Sequence, residues 1–130
     1  MTAEELVDGF ERCTLDSFHH ADHVRVVWTY LQRMPTAEAL QRFREALQRF
    51  AAHQGKPSLY HETITCAYVF LVNERMSVEP SASWEDFCRA NDDLLRWRPS
   101  ILGRYYRPET LGSELARRVF ILPDRALQYL

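Results

Sequence analysis

The sequence predicts an all-α fold, a single-domain antiparallel bundle of about four main helices with an irregular C-terminal segment, spanning residues 1–130. Three observations carry this. Glycine is scarce, at four residues, while helix-forming residues are dense. Apolar residues recur on a three-four spacing in three separate stretches, the mark of a helix with one buried face. Strand-like alternation is nearly absent.

The elements follow in order. Residues 2–10 read as a short helix, with Thr2 as N-cap and Glu5 three positions later. Residues 11–17 are a connection, and Ser17 can cap a first long helix over 18–34, with Val27, Tyr30, Leu31 and Met34 on one stripe. Pro35 and Thr36 end it and open a second long helix, 37–53, where Leu40, Phe43, Leu47 and Phe50 alternate with a polar face. Gln54-Gly55-Lys56-Pro57 is a stop. A third long helix covers 60–76, with Ile64, Tyr68, Leu71 and Val72 inward, and "SVEPSA" at 77–82 is a loop. Ser83 with Asp86 opens a fourth, 83–95. Beyond it Pro99, Gly103 and Pro108 interrupt the chain, leaving a short helix at 108–118.

Composition narrows the function classes. A hydrophobic fraction of 46% and a charged fraction of 26% are those of an ordinary globular domain. A net charge of −2 gives no electrostatic case for nucleic acid or an anionic membrane. The arginines of the C-terminal third are interleaved with acids, as on solvated helix faces. Cys13, Cys66 and Cys88 are odd in number and lack a C-x-x-C spacing, so reduced thiols and a cytoplasmic location are expected. No signal peptide and no membrane span is expected either.

Two stretches concentrate polar chemistry: "SFHHADHVRVVW" at 17–28 and "LYHETITCAYVF" at 59–70. Short links make successive helices antiparallel neighbours. That topology gathers His19, His20, Asp22, His23, His53, His61 and Glu62 at one end of the bundle, with Arg104, Tyr105 and Tyr106 joining from the tail. The inward stripe of the first long helix runs back through His23 to His20.

Three chemistries suit such a set. In one, two or three imidazoles from His20, His23 and His61 hold a divalent metal ion, with Glu62 or Asp22 as the carboxylate ligand. In another, Glu62 and a histidine form a metal-free acid/base pair, Asp22 orienting a histidine, with Arg25 or Arg104 clamping an anionic substrate group. In the third, these residues cap helix ends and satisfy one another. HETIT is not H-E-x-x-H, since Thr65 stands at the second ligand position, so a zincin mechanism does not transfer. Tyr105 and Tyr106 suit either stacking on a planar ligand or anchoring the tail. Cys66 reads as a buried inert thiol, and Trp28, Trp84 and Trp97 as core or boundary residues.

At Phe18, His20, Asp22, His23 and Arg25, at Tyr60 to Thr65, and at Arg104 to Tyr106, the chain resembles an uncharacterised family of small bacterial helical proteins with F-x-H-x-D-H-x-R, Y-H-E-T-I-T and R-Y-Y motifs. The resemblance implies a shared polar end and brings no activity with it. The expectation is therefore a small cytoplasmic enzyme, with or without a divalent metal, acting on a small polar or anionic molecule. His20, His23, His61, Glu62 and Asp22 would carry the chemistry, and Arg25, Arg104, Tyr105 and Tyr106 the substrate. The rivals are a non-catalytic module that binds a small-molecule ligand and a homodimeric interaction protein.

Overall fold

A computed structural model describes residues 1–125. It is all-helical: eight α-helices and two short 3-10 turns, with no strand among the described residues. None of these helices is long and apolar enough to cross a membrane.

The first helix, α1 (Ala3–Glu11), opens on a complete capping box. Thr2 Oγ1 accepts the Glu5 N–H, and Glu5 accepts the Thr2 N–H, each at 3.1 Å. Leu6, Val7 and Phe10 face inward.

α2 (His20–Arg33) starts two residues later than the Ser17 cap predicts. The reason is Phe18, which stacks on Phe10 at 4.5 Å and draws the preceding chain onto the core. His19 becomes the N-cap residue and donates its backbone N–H to Asp22 Oδ2 at 3.0 Å. Phe18, one position before the cap, stacks on His23 at 4.1 Å, the placement of a hydrophobic staple.

α3 (Thr36–His53) buries Ala39, Phe43, Ala46 and Phe50, while Leu40 and Leu47 sit at the edge of the core. Gly55 closes the helix in the left-handed region, φ 74°, where a side chain would be strained. A 3-10 turn (Pro57–Leu59) leads into α4 (Glu62–Val78).

α4 is the central helix. It packs on α2, α3 and α8, and therefore buries residues around much of its circumference, from Thr63 and Thr65 to Val69 and Val72. Central placement explains why no single inward stripe describes it.

The predicted fourth helix is two: α5 (Trp84–Ala90) and α6 (Asp92–Leu95). The break falls at Asn91, whose side chain bonds both its own helix and the neighbouring α4. Its Nδ2 donates to Phe87 O at 3.0 Å and its Oδ1 accepts from Arg75 at 2.9 Å. The tail folds as a 3-10 turn (Ile101–Arg104) and two short helices, α7 (Pro108–Leu111) and α8 (Glu114–Arg118), in place of one helix over 108–118. Gly112 and Ser113 separate them, and Ser113 Oγ caps α8 by accepting the Ala116 N–H at 3.1 Å.

Candidate functional site

A cavity of about 890 Å³ opens between the start of α2, the second half of α3 and the first two turns of α4. Phe18, Phe43, Leu47, Phe50, Val24, Val27 and Ile64 form apolar wall. His20, Tyr68 and Trp97 form an aromatic cluster beside it, with ring centroids 4.8 Å apart for His20–Tyr68 and 5.0 Å for His20–Trp97. His19, His23, Tyr60 and His61 also reach the cavity, and so do Lys56 and Arg117.

The two polar stretches therefore meet at one space. Their side chains differ in what they have left to offer. His61 is the N-cap residue of α4, where Nδ1 accepts the Ile64 N–H at 3.1 Å and Nε2 bonds Leu111 O at 2.7 Å. A carbonyl only accepts, so the proton sits on Nε2 and both ring nitrogens are engaged. Thr63 Oγ1 lies 2.7 Å from Ala116 O and 2.9 Å from Val119 O, sharing its one proton between them, and accepts the Ile121 N–H at 3.1 Å. Thr65 Oγ1 donates to His61 O at 2.7 Å. These residues hold the helix start and dock the C-terminal segment on α4.

Glu62 is not among the cavity-lining residues. Arg44 Nε donates to both of its carboxylate oxygens, at 3.0 and 3.1 Å, and the Tyr60 hydroxyl donates to Oε1 at 2.6 Å. Burial alone would raise its pKa, but the hydrogen bonds from Arg44 and Tyr60 outweigh this and hold the carboxyl below the ordinary value. Burial, with the Glu62 charge nearby, pushes the Cys66 thiol up to about 11, so it is protonated and unreactive at neutral pH.

Among the histidines with a ring nitrogen to spare, His20 is the one whose tautomer is fixed by a hydrogen bond among the described residues. Its Nε2 donates to Leu94 O at 2.8 Å, which fixes the ring and its tautomer. Nδ1 has no hydrogen-bond partner among the described residues, and it is not one of their sealed, unpartnered polar atoms. Burial lowers the His20 pKa against the opposing pull of the Leu94 carbonyl. His23 is pushed down to about 4, first by burial and then by the neighbouring His20, so it is neutral at pH 7.

The remaining expected site residues lie elsewhere. Asp22 caps α2 and His53 is exposed at the end of α3. Arg25 donates to Met1 O at 3.0 Å and lies 6.0 Å over the Trp84 ring. Arg104 reaches Asp93 at 3.3 Å, where Arg75 already binds at 2.9 Å. Tyr106 is buried and donates to Ile121 O at 2.6 Å, and the Tyr105 carbonyl accepts the N–H groups of Asp124 and Arg125 at 3.1 Å. None of Asp22, His53, Arg25, Arg104, Tyr105 and Tyr106 lines the cavity.

Sequence reasoning missed Arg44, Lys56, Arg117 and the cavity role of Tyr68 and Trp97. Arg44 was open to discovery as the cation on the face of α3 turned to α4. Arg117 and Trp97 carry no local signal, because only the path of the tail brings them here.

Among the described residues no three His, Cys, Asp or Glu side chains are grouped to hold one metal ion. Comparison with protein-family models, curated proteins and solved structures gives no match.

Proposed function

We propose that the chain binds a small organic molecule in the cavity between α2, α3 and α4, with His20 as the polar group that meets it. The observation that carries this reading is the cavity. Its volume of about 890 Å³ lies within the roughly 300–1,000 Å³ of small-molecule sites, and its walls are largely apolar and aromatic with a few polar groups converging on them. A titration with the uncharged dye N-phenyl-1-naphthylamine tests it. Leu47 lies at the cavity edge, half-buried, so Leu47→Trp fills space without replacing a fully buried residue. Saturable fluorescence in the natural chain, lost in Leu47→Trp with the helical spectrum retained, is the expected result. No binding, or binding indifferent to Leu47→Trp, overturns the reading.

A second reading, acid–base catalysis on the bound molecule, is favoured by one feature of His20. Its Nε2 proton is committed to Leu94 O while Nδ1 remains a proton acceptor, the arrangement of an oriented general base. In a metal-dependent version His20 and His23 would supply the ligands. His61 would have to surrender two hydrogen bonds and Glu62 its pairing with Arg44 to join them. Elemental analysis of the native protein beside a His20→Ala/His23→Ala double variant decides that version.

A further inference from the structure

The cavity carries a charge pattern as well as a shape. Lys56 comes to it from the turn after α3 and Arg117 from α8. Arg117 Nη1 donates to Ser58 O at 2.8 Å, which sets the guanidinium two residues along the chain from Lys56. The two cations therefore share one side of the rim. Neither is in a salt bridge among the described residues, whereas Arg44, Arg75 and Arg104 each meet a carboxylate.

Little opposes them. Among the described residues Asp16 is the one carboxylate in the cavity lining, and it comes from the connection before α2. Glu62 is turned away and neutralised by Arg44. A guanidinium and an ammonium beside an apolar wall, without carboxylate partners, favour an anion whose body can lie on that wall.

We infer that the ligand is an amphiphilic organic anion, its ring or hydrocarbon body lying against Phe43, Phe50 and Trp97 and its single anionic headgroup at Lys56 and Arg117. This rests on the small-molecule-binding reading above. It also replaces Arg25 and Arg104, the cations expected from sequence, with two others.

Two dyes that share a body and differ in charge test it: N-phenyl-1-naphthylamine and 1-anilinonaphthalene-8-sulfonate. At low salt the sulfonate should bind the natural chain at least about fivefold more tightly than the neutral dye, and lose that advantage as salt rises. Lys56→Gln should weaken the sulfonate by about threefold to tenfold and leave the neutral dye unchanged. Arg117→Gln should act in the same direction. Lys56 is exposed and makes no side-chain hydrogen bond among the described residues, so its replacement tests the charge without disturbing the fold. Equal affinities for the two dyes, unmoved by Lys56→Gln, overturn the anionic class and leave the cavity reading standing. Failure of both dyes to bind, or equal binding to Leu47→Trp, removes the cavity reading and this inference with it.

Discussion

Arg44 grips Glu62 from the neighbouring helix: Nε spans both carboxylate oxygens and Nη2 lies 2.9 Å from Oε2. The Glu62 side chain keeps only 14% of its exposure, so this pair is largely withdrawn from water. Glu62→Gln should cost about 1–3 kcal/mol, since it leaves a half-buried guanidinium without its counter-charge. Urea denaturation should register the loss. Dye affinity in the cavity should stay the same, because the carboxylate is not in the cavity wall; a large affinity loss at full stability would contradict this placement.

Thr63 joins α4 to the tail with one hydroxyl. Thr63→Val removes an oxygen that serves Ala116, Val119 and Ile121, and should cost about 2–3 kcal/mol, while Thr63→Ser should retain most of the stability. Hydrogen exchange should show residues 113–121 losing protection in the valine variant more than α2 or α3 do. Uniform loss across all helices would mean that the tail has no separate attachment.

His23 makes stability depend on pH in a stated direction. Its folded value, about 4, lies below the ordinary 6.5, so between these limits the unfolded chain binds more protons than the folded one. The stability is fully present above pH 6.5 and is lost as pH falls toward 4, by about 3 kcal/mol in all. His20 is displaced in the same direction. Glu62, Glu11 and Asp93 are also held low, but they contribute only below their ordinary values, near pH 4.5 and under. Urea midpoints at pH 7.5, 6.0 and 5.0 therefore isolate the histidines. His23→Phe preserves stacking on Phe18 and should flatten the decline; an unchanged slope would assign it to other groups.

The motif residues were conspicuous in the sequence for a reason that sequence alone could not sort. Helix starts need side-chain acceptors and staples, and catalytic sites need imidazoles and carboxylates, and the residue types overlap. In "FHHADH" Phe18, His19, Asp22 and His23 serve the start of α2, and His20 is left facing the cavity with an unused nitrogen. In "YHETIT" Glu62 is held by Arg44 and by the Tyr60 hydroxyl, while His61 and Thr63 hold the tail. The all-helical class and the α1 capping box followed from periodicity and local rules. The break at Asn91 and the entry of Arg117 into the rim depend on contacts with distant chain, which no local pattern encodes.

His20→Phe separates the two jobs of that ring. Phenylalanine keeps aromatic contact with Tyr68 and Trp97 but leaves Leu94 O without its donor, at a cost of about 1 kcal/mol. The melting temperature should fall modestly. If His20 acts as the base, turnover of any accepted substrate should disappear in this variant while neutral-dye affinity persists. A variant with undiminished turnover would place the proton acceptor elsewhere.

The attachment of the tail to Thr63 also sets an order of events in the cell. Thr63 and its partners are 53 to 58 residues apart along the chain, and Arg117 reaches Ser58 across 59. As the chain is synthesised, α1 to α4 can begin to associate before these partners exist. The unfinished molecule holds aromatic walls with half of the cationic rim missing and Thr63 unsatisfied. A nascent chain would thus present an oily cleft before it has the headgroup contacts to select a guest.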